Sequence, residues 1–354
     1  MKIDHEIIID LLQQLIASPS ISREEDQTAE IIFRFLETSG VRALRQKNNV
    51  WAQNKYFDNR KPTLLLNSHH DTVKPNPGYA RNPFLPVIEA GKLYGLGSND
   101  AGGCLVALLA AFLNFYDEQD LPYNLVFAAT AEEEISGKDG IESLIPTLPP
   151  LAFAIVGEPT SMEIAVAEKG LMVLDCLTDG IAGHAAREEG ENAIYKAIKD
   201  IAWFSNYQFE EISEVLGPVK MNVTVIEAGS QHNVIPDSCQ FVVDVRTTDA
   251  YSNLETLEII RSHISAQVTP RSTRLNPSGV SQNHPVVKVG KKLGLKTYGS
   301  PTLSDQALLH IPSIKLGPGE SARSHTADEF VLIREITDGI DIYNALLGNI
   351  DKLH

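Results

Sequence analysis

Histidine and carboxylate residues recur in this chain just after short apolar runs. Residues 63–67 lead into Ser68-His69-His70-Asp71, and residues 124–130 into Ala131-Glu132-Glu133-Glu134. Residues 153–156 lead into Gly157-Glu158-Pro159-Thr160, and residues 313–316 into Gly317-Pro318-Gly319, with Ser324-His325-Thr326-Ala327-Asp328-Glu329 close behind. Asp100 stands just ahead of the apolar stretch 102–116. A mixed set of imidazole and carboxylate donors suits zinc or a similar divalent ion. Each cluster also has a plainer reading. His69-His70-Asp71 can be a turn with a solvated Asp. Glu132-Glu133-Glu134 can be an acidic helix start, since carboxylates favour a helix N-terminus. Asp100 can cap the helix that follows it. Glu158 can be a loop carboxylate, and His325 an ordinary loop histidine. Their conjunction at strand ends favours a metal centre drawn from these histidines and carboxylates.

In an open α/β sheet, ligands gather at the carboxyl ends of the strands. The pattern of the first 160 residues supplies one. Helices are predicted at 4–17, with Asp4 as its cap, at 24–39 and at 102–116. Strands are predicted at 50–53, 63–67, 124–130 and 153–157, and their continuous apolar character predicts a sheet covered on both faces. From about residue 170 the order becomes strand 171–178, helix 192–206, strands 221–227 and 239–247, helix 253–265, which is close to a small α+β sandwich. The earlier style returns with a helix near 286–293, a strand at 313–316 and a terminal helix at 334–347. The expected architecture is therefore one α/β catalytic domain, residues 1–166 and 277–354, interrupted by an inserted α+β domain, residues 167–276.

Length and composition agree: 354 residues are enough for about two domains. A net charge of -16 argues against a nucleic-acid partner, which needs clustered Lys and Arg. The first residues lack the basic, apolar and small-residue regions of a signal peptide. The longest apolar run, 104–115, is too short for a membrane span and reads as a buried helix. Cys104, Cys176 and Cys239 are scattered in apolar company, so reduced core thiols and a cytoplasmic location are expected. Gly95-Leu96-Gly97-Ser98-Asn99-Asp100 is not a dinucleotide fingerprint, and no nucleophile elbow, HExxH or P-loop is present.

In order and spacing these clusters resemble the M20 metallopeptidase/deacylase family over nearly the whole chain. Gly183-His184, Asn233-Val234-Ile235-Pro236-Asp237 and Asp244-Val245-Arg246 extend the likeness into the inserted region. The resemblance implies a zinc-peptidase-like α/β domain with an inserted ferredoxin-like dimerisation or lid domain. It implies two divalent ions per subunit, zinc or also cobalt. His69 and Glu158 would bind one, Glu134 and His325 the other, and Asp100 would bridge them. Asp71 would orient the His69 imidazole. Glu133 would serve as general base. His184 would stabilise the oxyanion in a partner subunit's site, and Asn233 and Arg246 would bind substrate. Arg246 can equally be a structural ion-pair partner. The implied reaction is hydrolysis of the amide of an Nα-acyl amino acid by a homodimer joined through the inserted domain. Asn99-Asp100-Ala101-Gly102-Gly103 looks more like the acetylornithine or acyl-citrulline deacylases of arginine biosynthesis than the succinyl-diaminopimelate desuccinylase of lysine biosynthesis. An aminoacylase or dipeptidase of the same family and a catalytically silent binding protein are the other readings. Leu96, Gly102 and Arg187 depart from the family's usual Arg, Lys and Pro; none is an expected ligand.

Overall fold

The Asp4 carboxylate accepts the backbone N–H of Glu6 and so starts the first helix, His5–Ala17. Ile8, Leu11, Leu12 and Leu15 recur at helical spacing and form its buried face. The structure, a computed structural model, describes residues 3–187 and 189–353. The chain divides into two units. One comprises Met1–Val166, Gly279–Tyr298 and Ser304–His354; the other comprises Ala167–Ser278 and Gly299–Leu303.

The first unit is built on a nine-stranded sheet. Its central strands, Asn124–Thr130, Thr63–His69, Phe153–Val156 and Ser313–Lys315, lie next to one another in that order and run parallel. Every residue of these strands is buried, as expected when helices cover both faces. Parallel pairing sets His69 opposite Thr130 and Asn67 opposite Val156. The strand ends therefore finish together at one rim. Helix Gly103–Phe115 packs on Thr63–His69 and Asn124–Thr130 and against the first and terminal helices, His5–Ala17 and Ile333–Gly348. The stretch Ser98–Phe115 is long and apolar enough to cross a membrane, but 78% of it is buried here, as a core helix. A separate three-stranded sheet of Val87–Glu89, Lys92–Tyr94 and Phe330–Leu332 was not expected from the sequence. Its strands, three residues each, are too short to show an alternating pattern.

The second unit follows the order Met172–Asp179, Ala193–Asn206, Lys220–Ala228, Ser238–Arg246, Asn253–His263, Gln267–Pro270. This is a strand-helix-strand-strand-helix-strand fold around a four-stranded antiparallel sheet. Alternate residues Leu174, Cys176, Phe241, Val243 and Val245 point into one core with Ala197, Phe204, Leu257 and Ile260. Lys220–Ala228 is an edge strand, with Val225 and Ile226 exposed. The unit also takes in Gly299–Leu303, which the sequence reading left with the first domain. Close packing explains it: a Cβ on Gly299 would stand 2.5 Å from the Val215 carbonyl oxygen. Cys104, Cys176 and Cys239 are buried and unbridged.

Candidate metal centre

The parallel strands bring the polar clusters to one rim. His69 ends its strand, Glu133 and Glu134 form the short turn Glu133–Ile135 after strand Asn124–Thr130, and Glu158 follows Phe153–Val156. The Glu158 loop packs closely on the next one: a Cβ on Gly317 would stand 2.5 Å from the Glu158 carbonyl oxygen. Asp100 reaches the same place from the loop before helix Gly103–Phe115, and its peptide bond to Ala101 is cis. The cap of that helix is Gly102, without a side-chain bond. Asp100 is thus not the helix cap that the sequence also allowed.

Asp100 turns one oxygen to each histidine. Its Oδ1 lies 3.4 Å from His69 Nε2, and its Oδ2 lies 3.6 Å from His325 Nε2. Beyond His69, Glu158 Oε1 is 3.8 Å from the same Nε2. Beyond His325, Glu134 Oε2 is 2.9 Å from Nε2. Donor atoms of His69, Asp100 and Glu134 lie within 4.8 Å of one another, as do those of His69, Glu133 and Glu158. Glu133 therefore stands as near the centre as a ligand does.

Electrostatics fit a cation there. Burial and the neighbouring Asp100 push Glu158 up to about 8, against the pull of His69. Burial also raises Glu133 well above the usual carboxylate range, with Glu158, Asp305 and Glu134 adding to it and His69 opposing. Glu134 is raised by burial despite its hydrogen bond with His325. Burial works against a charged His69, but hydrogen bonds to Asp100 and Asp71 outweigh it and hold the imidazole well above its ordinary value. Crowded carboxylates that resist their own ionisation are what a divalent ion relieves. The donor set, two imidazoles and several carboxylates, suits zinc or a related ion.

Hydrogen bonds fix these groups from behind. His69 Nδ1 is 3.0 Å from the Asp71 carbonyl oxygen, which assigns the proton to Nδ1 and turns Nε2 toward Asp100 and Glu158. The Asp71 carboxylate accepts the backbone N–H groups of Glu133 (3.0 Å) and Glu134 (3.2 Å) and the Ser22 hydroxyl (2.7 Å). It thus holds the turn carrying Glu133 and Glu134. His70 faces away: its ring meets Thr28 Oγ1 and the Asn48 carbonyl, and burial lowers its pKa. Buried Asp305 accepts from Asn67 Nδ2 and Thr130 Oγ1, both at 2.8 Å, and ties together the strands that carry His69 and Glu133.

Glu329 holds the Asp100 loop. Its buried carboxylate accepts the backbone N–H groups of Gly97 (3.0 Å), Asn99 (2.8 Å) and Asp100 (2.9 Å). Glu329 lies in the sequence cluster quoted above but drew no role there; Asp305 and Ser22 had no local signal at all. In Glu329→Gln an amide N–H₂ would face backbone donors in place of a carboxylate oxygen. The expected result is a metal affinity lower by about 10–100-fold, the usual range for a group that orients a ligand. Chelator-competition titration reads this directly, and an unchanged affinity would rule out the clamp.

In the second unit, His184 and Asn233 sit together. Gly183–His184 pairs with Val234–Ile235, and the Ala185 N–H donates to the Asn233 carbonyl. His184 is exposed. Its Nδ1 accepts the Ala186 N–H at 3.1 Å, which leaves Nε2–H as a donor. Arg246 is held differently: Nε and Nη2 grip both oxygens of Asp244 at 2.8 and 3.0 Å. This is the ion pair that the sequence allowed as an alternative.

Residues 65–349 match the sequence model of peptidase family M20/M25/M40. The chain is 30% identical to acetylornithine deacetylase of Proteus mirabilis, covering 99% of this chain and 98% of that one. It is 26% identical to succinyl-diaminopimelate desuccinylase of a Caulobacter species, covering 96% and 95%. Its fold resembles the crystal structure of a dinuclear metal binding peptidase of the M20 family from Bacillus subtilis, with a TM-score of 0.74, 18% identity and 97% of each chain covered.

Proposed function

The chain belongs to peptidase family M20/M25/M40 and is a metal-dependent amidohydrolase of linear amides, and we propose that it removes the acyl group from an Nα-acyl amino acid. The observation that carries the two-ion reading is Asp100, with one oxygen toward each of two imidazoles. In this reading His69 and Glu158 hold one divalent ion, Glu134 and His325 the other, and Asp100 bridges them. Two zinc or cobalt ions so held would polarise the acyl oxygen and acidify the attacking water. Glu133 takes a proton from that water onto its carboxylate as the new C–O bond forms. It then gives the proton to the leaving nitrogen as the C–N bond breaks, yielding a carboxylate and an amine. Burial and neighbouring carboxylates, which raise Glu133, suit it to hold the proton in between. His184 is proposed to donate from Nε2 to the oxyanion developing in a partner subunit's site, and Asn233 and Arg246 to take part in substrate binding.

The acyl substrates proposed are N-acetylornithine and acetyl- or succinyl-citrulline, supported by the 30% likeness to an acetylornithine deacetylase. Succinyl-diaminopimelate is the second reading, supported by the likeness to a desuccinylase. The exposed edge strand Lys220–Ala228 supports homodimerisation through the inserted unit. The unbridged cysteines support a reducing, cytoplasmic location. A panel of N-acetylornithine, N-acetylcitrulline, N-succinylcitrulline, N-succinyl-diaminopimelate and dipeptides, run on zinc- and cobalt-loaded protein, tests the reading. The ornithine or citrulline derivatives are expected to give the highest kcat/KM. Turnover confined to dipeptides would replace this reading with a peptidase.

A further inference from the structure

A cavity of ≈ 350 Å³ opens beside the candidate centre, with Glu134 in its wall. Two neighbouring segments form much of the rest. Ile21 and Thr72 make a parallel bridge, and the Ser22 hydroxyl bonds Asp71 at 2.7 Å. Two residues past that bridge, one on each segment, stand Arg23 and Lys74, and both line the cavity. Two cations on the lining of one cavity repel one another unless an anion joins them. Among the described residues no carboxylate pairs with Lys74. Arg23 comes only to 4.0 Å from Glu132, with its side chain 74% exposed, and such a pair holds little. Arg23 nevertheless keeps an uncommon left-handed backbone, φ 78°. Its N–H donates to Oε1 of buried Glu25 at 2.6 Å, which fixes the turn. Ser22 and Thr72 add two hydroxyls, and the rest of the wall is apolar: Ile21, Val73 and the half-exposed Ile135. Apolar walls next to the centre and a pair of cations on the lining complement a short methylene chain that ends in a carboxylate.

Resting on the deacylase reading above, we propose that Arg23 and Lys74 bind a carboxylate at the end of the substrate's acyl chain. The cavity thereby selects dicarboxylic acyl groups such as succinyl over acetyl. The test compares N-succinylornithine with N-acetylornithine on zinc-loaded wild type, Arg23→Ala, Lys74→Ala and Lys74→Arg. The ratio of kcat/KM, succinyl over acetyl, is expected to fall about 10–100-fold in each alanine variant, the worth of a hydrogen bond to a charged group. The loss should appear in KM, and Lys74→Arg should keep most of the ratio. Equal losses on both substrates would assign the cations to the α-carboxylate that the substrates share, and would overturn the proposal, as would unchanged ratios in variants with wild-type melting curves. Calorimetry with succinate and acetate reads the cavity without turnover: wild type should bind succinate more tightly, and Lys74→Ala should lose that preference. If no N-acyl amino acid is hydrolysed but the Lys74-dependent succinate preference remains, the deacylase reading fails and the carboxylate site stands. If turnover is normal and the preference is absent, the reverse holds.

Discussion

Glu133→Gln is expected to lower kcat by about 10²–10⁴-fold, the usual worth of a positioned proton carrier, while metal content stays at the wild-type level. The variant keeps the size of the side chain and removes only the ability to take a proton. Its backbone N–H still donates to Asp71, so the turn should hold its place. The measurement matters because the geometry admits a rival role. Donor atoms of Glu133, His69 and Glu158 all lie within 4.8 Å of one another, so Glu133 could instead be a ligand. Metal analysis beside steady-state kinetics separates the two. A loss of rate with both ions retained identifies the base, whereas a loss of rate with one ion missing identifies a ligand. A wild-type rate would remove Glu133 from the chemistry altogether.

Chelation of the ions, or Asp100→Ala, should abolish turnover and leave a protein whose stability depends on pH. The sign follows from the buried groups. Glu158 and Glu329, ordinarily near 4.5, are both pushed up to about 8 by burial, with Asp100 adding to it. In the metal-free folded protein they keep their protons between those values, while the unfolded chain releases them. The unfolded state then binds fewer protons, so stability falls as pH rises through that window. His325, raised to about 9 chiefly by its hydrogen bond with Glu134, adds to the same slope: its contribution is present below 6.5 and lost as pH rises through 9. Asp71 and Asp100 are lowered against their burial, by His69 above all, and act only at more acidic pH, where their contribution is lost as pH falls. Chelated wild-type protein should therefore melt lower at pH 8.5 than at pH 5.5, and added zinc should raise Tm most at the alkaline end. A flat or rising profile in the metal-free protein would mean that these carboxylates are not held apart from solvent as described.

Much of the scaffold was legible because its causes are local. Strand Asn124–Thr130 begins and ends where the apolar run does. Helices His5–Ala17 and Ala193–Asn206 start after Asp4 and Asn192, each of which accepts a backbone N–H two residues on. The polar clusters at strand ends could be read as a site because parallel strands in such a sheet finish on one side. The short strands Val87–Glu89, Lys92–Tyr94 and Phe330–Leu332 carry no such signal, because three residues cannot display a period of two and the third pairs with a distant segment.

The sequence by itself determined which donors the chain offers, at which strand ends, and the alternation of elements that gathers them. Those properties arise from periodicity and caps within a few residues. Only the tertiary structure decided that Asp100 stands between two histidines and does not cap its helix, that Asp71 grips the Glu133–Ile135 turn, and that Glu329 clamps the Asp100 loop across 229 residues of chain. It also placed Arg23 and Lys74 on the lining of one cavity. Each of these is a hydrogen bond or close approach between segments far apart in sequence. Their energies depend on the final geometry, which no local pattern encodes.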